Sequence, residues 1–148
     1  HIYVGCLTRT VPSDAVSGNS LTVSGTNPVV ESRATFAVDY NSVLRIALPE
    51  TGYEDGIVPI SAKKVTFAEG RSRLEIDGIF EMRRCYGRKK SRYTLMSAKD
   101  QLTIPDAVVE AVNTSFADAG ADDCCVYKDG KKLVLKVPFA KGSIFCIR

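Results

Sequence analysis

A single stretch of the sequence, residues 105–117, repeats its apolar residues at helical spacing, so the fold must be built mainly from other elements. Pro105 suits the first position of a helix, and the carboxylates of Asp106 and Glu110 favour the positive end of the helix dipole. The predicted apolar face of this helix consists of Ala107, Val108, Ala111, Val112 and Phe116.

The other apolar stretches are short, alternate with polar residues and stop at turn-forming residues, which is typical of β-strands. Roughly nine to eleven such stretches occur by this criterion. The sequence therefore predicts an α+β fold dominated by β-structure, with many short antiparallel strands and hairpins and one clear helix at about 105–117.

Two Asp-Gly pairs, Asp77-Gly78 and Asp129-Gly130, stand between alternating runs, where this dipeptide favours a tight hairpin turn. The first pair predicts strands at 72–76 and 79–84, and residues 92–96 return as a third strand. The loop between the last two of these strands then forms a hairpin tip that projects from the core.

The length of 148 residues suits one domain, and no linker divides the chain. We therefore predict a single β-rich domain over residues 1–148, with Ser143–Ile147 as a final edge strand. Residues 57–84 contain Ile57-Val58-Pro59 and residues 102–137 contain Thr103-Ile104-Pro105, each followed by a later Asp-Gly pair, which is the pattern of an internal duplication.

The charge of the chain is distributed unevenly, although its net value of +3 is mild. Residues 1–56 carry a net charge of −3, residues 57–92 carry +6, and residues 93–148 are neutral. Such a concentration of like charges is stable when it is solvated or when it faces an anion.

The basic cluster lies between residues 83 and 92 and contains no acidic residue. Its cations would contact phosphates at the hairpin tip, and its tyrosines would stack on bases. The alternatives are a solvated tip without a partner and a contact with an acidic protein. The predicted nucleic-acid-binding residues are Arg83, Arg84, Tyr86, Arg88, Lys89, Lys90 and Arg92.

The sequence shows no catalytic signature, so we predict no catalytic residue, no metal site and no cofactor. It has no glycine-rich phosphate loop and no Gly-x-Ser-x-Gly element, and its one histidine is His1. The acidic pairs Glu54-Asp55 and Asp122-Asp123 resemble solvated turns. An enzyme would require carboxylates that converge from distant positions.

The five cysteines form no Cys-x-x-Cys pair, and we interpret them as small buried residues in a reducing, cytoplasmic compartment. They are Cys6, Cys85, Cys124, Cys125 and Cys146. No secretion signal and no apolar run of membrane-spanning length is visible, so no membrane partner is expected.

Residues of about 100–137 resemble the swapped-hairpin domain of AbrB-type transcription regulators. The pattern is Leu102-Thr103-Ile104-Pro105, a short helix, Ala119-Gly120 and a hairpin at Asp129-Gly130. The resemblance implies an interleaved dimer that binds DNA. The Gly-Arg pair of that family falls on Asp100 and Gln101 here, so its DNA-contacting residues do not carry over.

The same region is also similar to a subdomain of the DNA sliding clamps, through its proline-led helix, acidic turn and Asp-Gly hairpin. Such subdomains occur in pairs, and residues 57–84 would be the second copy. This resemblance also implies an action on DNA.

These observations predict a nucleic-acid-binding module, with DNA as the expected polymer, that contacts phosphates through a basic hairpin tip. The alternative is a structural or assembly subunit of a larger complex or particle without catalytic activity. A homo-oligomer is compatible with both hypotheses.

Overall fold

The computed structural model describes residues 1–4 and 19–139. Within them, nine strands and two helices form an α+β fold that is dominated by strands, as predicted. The predicted strand Ser143–Ile147, together with Cys6 and Cys146, lies outside the described residues. The elements are β1 (Ile2–Val4), β2 (Asn19–Val23), β3 (Val30–Val38), β4 (Ser42–Ala47), β5 (Ile60–Phe67), β6 (Arg73–Asp77), α1 (Ile79–Arg84), β7 (Arg92–Thr103), α2 (Asp106–Asp118), β8 (Cys125–Asp129) and β9 (Lys132–Lys136).

The strands form two sheets, and consecutive strands from β1 to β7 alternate between them. The first sheet has the order β1-β3-β5-β7-β9-β8, and the second has the order β2-β4-β6. Among the strands of residues 1–4 and 19–139, all pairs within β1 to β7 are parallel, and only β7–β9 and β8–β9 are antiparallel. The prediction of mainly antiparallel strands and hairpins is therefore wrong, because most turns lead the chain into the facing sheet.

In the central part of the chain, successive turns of a coil contain the same number of residues. Val30 pairs with Ile60 in the first sheet, and Val43 pairs with Arg73 in the second, so the paired residues are 30 positions apart in both sheets. Each coil thus contributes one strand to each sheet and buries its inward side chains between them. The largest fully buried side chains include Phe36, Leu44, Ile46, Ile60, Leu95 and Leu133.

The Asp77-Gly78 pair does not form the predicted hairpin, since β6 ends at Asp77 and the helix α1 begins at Ile79. Gly78 has a φ of 89°, and its carbonyl accepts a hydrogen bond from the Met82 amide at 3.0 Å. Ile79 and Met82, which are three residues apart, are both buried. Residues 79–84 are therefore helical, because this spacing places both apolar side chains on the same side of a helix.

The second Asp-Gly pair does form its predicted hairpin, in which Asp129 of β8 pairs with Lys132 of β9. The predicted helix is also confirmed, as α2, and it buries Val108, Val112 and Phe116. Two residues assigned to its apolar face, Ala107 and Ala111, are exposed instead.

The helix α2 spans the end of the two-sheet core and contacts both β8 and β6. The Asn113 side chain donates a hydrogen bond to the Val126 carbonyl at 3.1 Å and accepts one from the Val126 amide at 2.8 Å. The side-chain amide of Asn113 therefore makes the two hydrogen bonds with Val126 that a neighbouring strand would make, so these backbone groups of β8 are satisfied.

Candidate nucleic-acid interface

The basic cluster lies on the connection between the two sheets and not at a hairpin tip. The chain leaves the second sheet at β6, forms α1, and reaches β7 of the first sheet at Arg92. The hairpin tip predicted for this cluster is therefore wrong. The reason is that α1 replaces the strand that would have formed the first arm of the hairpin.

Arg88, although charged, is buried, with 4% of its surface exposed. Its Nε donates a hydrogen bond to the Met82 carbonyl at 3.1 Å, and its Nη1 donates to the carbonyls of Lys90 and Val137. Its Nη2 donates to the Pro138 carbonyl at 3.0 Å. The guanidinium thus links the connection between α1 and β7 to the residues that follow β9. All four of these hydrogen bonds are donated to main-chain carbonyls.

Two further cations of the cluster are engaged in ion pairs. Arg83 contacts Asp123 with 2.7 Å between Nε and Oδ1, and Lys90 contacts Asp55. The hydrogen bond from Arg83 lowers the pKa of the Asp123 carboxyl, and the hydrogen bond from Lys90 lowers the pKa of the Asp55 carboxyl. These carboxylates belong to the acidic pairs that the sequence suggested were solvated turns.

The remaining members of the cluster, Arg84, Tyr86, Lys89 and Arg92, are exposed. Tyr86 exposes 77% of its surface. The Arg84 guanidinium lies 5.2 Å from the centre of the Phe80 ring, which is itself partly exposed. We call Phe80, Arg84, Tyr86, Lys89 and Arg92 the basic–aromatic segment.

Strand pairing adds one more cation beside this segment. Arg92 of β7 lies directly opposite Lys136 of β9, and both side chains are exposed. Like charges directly opposite one another destabilise a strand pair, and an anion placed between them would relieve the repulsion. The structure therefore brings together Arg84 with Phe80, and Arg92 with Lys136.

Sequence reasoning missed both Phe80 and Lys136. Phe80 precedes Arg84 by four residues, a spacing that makes them neighbours on a helix, but residues 79–84 were predicted to be a strand. Lys136 is remote in sequence, and only the register between β7 and β9 places it beside Arg92.

The described cysteines do not form a metal site. Cys85, Cys124 and Cys125 are free thiols, and within residues 1–4 and 19–139 no group of three or more His, Cys, Asp or Glu residues could hold a metal ion. Burial raises the pKa of the Cys124 thiol to about 12, so this cysteine stays protonated and packs as a small core residue.

None of the helices in the described part of the chain has the length and apolarity needed to cross a membrane. The sequence matches no known protein family, no curated protein and no solved structure. The function is therefore inferred from the residues of this chain and from their geometry.

Proposed function

We propose that this protein is a nucleic-acid-binding module whose basic–aromatic segment contacts the ligand. The observation that carries the proposal is the Arg84 guanidinium over the ring of Phe80, in the same short segment as the exposed Tyr86. Arginine and aromatic side chains together supply phosphate contacts and stacking surfaces for unpaired bases.

The exposure and the ion pairs of the cluster guide our assignment of phosphate contacts. Arg84, Lys89 and Arg92 are exposed, and Lys136 lies beside Arg92. Arg83 and Lys90 already contact carboxylates, and Arg88 is buried. We therefore assign phosphate contact to the exposed cations and a structural role to Arg88.

The ligand that suits exposed aromatic rings is single-stranded, because the faces of its bases are accessible for stacking. DNA remains the expected polymer, and an RNA of the same sequence is the direct comparison. Each phosphate contact to a single strand contributes a slope of about −0.7 to the dependence of log affinity on log salt concentration.

The test is a fluorescence anisotropy titration of a labelled single-stranded oligonucleotide at several salt concentrations. Replacing Arg84, Lys89 and Arg92 together with glutamine should make the salt slope shallower by about 2, since three contacts are lost. Phe80→Leu with Tyr86→Leu should weaken binding by roughly 1–3 kcal/mol per stacked base and leave the slope unchanged.

The matched control replaces Lys64, Lys99 and Lys132 with glutamine. These lysines are exposed, they change the net charge equally, and they lie away from Arg92 along the first sheet. An equal loss of affinity in this control would show that net charge alone attracts the oligonucleotide. Absence of binding by the unaltered protein at low salt would also refute the proposal.

The second candidate function is assembly into a larger complex or particle, favoured by the end of the core formed by β1 and β2. In the described part of the chain, no strand lies beyond β1 in the first sheet or beyond β2 in the second. Open sheet edges can pair with another chain. Sedimentation velocity over a range of concentrations should then show association, and a strict monomer would count against assembly.

A further inference from the structure

A groove runs between β6 and α2, along the edge of β6 that faces away from β4. Its cavity volume is about 680 Å³, and one wall is formed by β6 together with the start of α1. The other wall is α2, which begins directly after Pro105. The groove therefore lies beside β6, the last strand in the order of the second sheet.

The helix wall of the groove consists of small side chains at four-residue intervals, namely Ala107, Ala111, Ser115 and Ala119. Residues four apart lie on one side of a helix, so these four form a shallow, exposed strip. Leu74, Ile76, Val108 and Phe116, which are buried, add apolar surface to the lining. The small strip leaves room for a backbone, and the apolar residues would receive its side chains.

The strand wall of the groove is a sheet edge. In a parallel sheet, backbone groups alternate in direction, and those of β6 that point away from β4 face the groove. No strand among residues 1–4 and 19–139 pairs with this edge. The edge of β8, at the other side of α2, is by contrast covered by Asn113.

The rim of the groove is acidic. The charged residues of its lining are Glu75, Asp77, Glu81 and Arg73, with a net charge of −2. Arg45 of β4 contacts Glu75 at 2.8 Å and lies 3.8 Å from Asp77, so it offsets part of their charge, and the rim together with Arg45 keeps a net charge of −1. This rim would repel phosphates and attract cations, unlike the basic–aromatic segment, with which the groove shares Phe80.

We propose that this groove binds an extended, basic peptide segment of a partner protein, which pairs with β6 as a fourth strand of the second sheet. Main-chain hydrogen bonds to the edge of β6 hold the segment. Its apolar side chains point inward over Leu74 and Ile76, while lysine or arginine side chains at the alternate positions lie beside Glu75 and Asp77.

The probe is a fluorescently labelled, acetylated peptide of alternating valine and lysine, measured by anisotropy with the full chain. It should bind with a saturable isotherm, whereas a peptide of alternating valine and glutamate should bind at least about tenfold more weakly because the rim is acidic. N-methylation of alternate amides of the basic peptide should reduce affinity about tenfold or more, since it removes the donors that face β6.

Ala111→Leu tests the groove itself, because the larger side chain fills the space that the peptide backbone would occupy. We expect a loss of affinity of about tenfold or more. The matched control is Ala117→Leu, an exposed alanine of the same helix that does not line the groove, and its affinity should be unchanged. Thermal unfolding of both variants shows whether each is folded.

The result that overturns the proposal is an absence of binding by the basic peptide, or equal binding by its N-methylated form or by Ala111→Leu. Self-association of the full chain that Ala111→Leu abolishes would identify a second copy as the occupant, which also overturns it. Oligonucleotide binding is measured separately and is expected to be unaffected by Ala111→Leu, so the two proposals fail independently.

Discussion

At the scale of single residues, the basic cluster divides into members with different physical roles. Arg88 has its charge inside the protein, where the carbonyls of Met82, Lys90, Val137 and Pro138 surround its guanidinium. Arg84 and Lys89, close to it in sequence, are exposed to solvent. Sequence alone shows six similar cations, because charge and spacing do not reveal which side chain the backbone encloses.

Replacement of Arg88 by methionine should lower the free energy of unfolding by about 3 kcal/mol or more, because buried carbonyls lose their donors. Lys89→Met should change it by less than about 0.5 kcal/mol, since Lys89 is exposed. Urea unfolding of the two variants measures the difference. Comparable stabilities would contradict the structural role of Arg88.

The ion pair between Arg83 and Asp123 should make a small contribution to stability that depends on pH. The hydrogen bond from Arg83 lowers the pKa of the Asp123 carboxyl from 3.8, so the folded state favours the ionised form. The contribution is therefore complete above the pKa of the unfolded state and is lost as the pH falls through the lowered pKa of the folded state.

Asp123→Asn should accordingly reduce the free energy of unfolding by less than about 1 kcal/mol near neutral pH, because the pair is partly solvated. The difference from the unaltered protein should shrink below a pH of about 3.8. Urea unfolding across pH measures it, and Asp122→Asn is the matched control. A difference that grows as the solution becomes acidic would contradict the assignment.

At the scale of elements, the two Asp-Gly pairs show how far local sequence determines a turn. Asp129-Gly130 forms its hairpin because the strands on both sides, β8 and β9, pair with each other. Asp77-Gly78 has the same dipeptide, but β6 pairs with β4, about thirty residues earlier, and residues 79–84 form the helix α1. The dipeptide permits a turn, and the tertiary partners of the flanking segments decide which elements the turn connects.

Gly78→Ala should destabilise the protein by about 1–3 kcal/mol. The residue has a φ of 89°, and an added Cβ would lie 3.0 Å from the Leu48 carbonyl oxygen. Gly87→Ala is the matched control, because Gly87 has no neighbouring atom within 4 Å of such a Cβ and no left-handed φ. Thermal unfolding should separate the two variants, and equal midpoints would refute this role of Gly78.

At the scale of the whole molecule, the parallel arrangement of β1 to β7 places two different surfaces around the element α1. The connection from α1 to β7 exposes the basic–aromatic segment, and the start of α1 completes the acidic groove beside β6. The basic–aromatic segment itself lies within residues 80–92, but the groove combines two parts of the chain that are distant in sequence. Lys136 reaches the first through strand pairing, and α2 forms the second by lying across the end of the core.

The sequence by itself determined the dominance of strands, the helix α2, the hairpin at Asp129-Gly130 and the concentration of positive charge at residues 83–92. Each depends on spacing, turn residues or charge within a short window. Only the tertiary structure decided that most strands are parallel, that residues 79–84 are helical, and that Arg88 is buried. The physical reason is that strand partners such as Val30 and Ile60 are far apart in sequence, and a short apolar run satisfies strand and helix periods almost equally well.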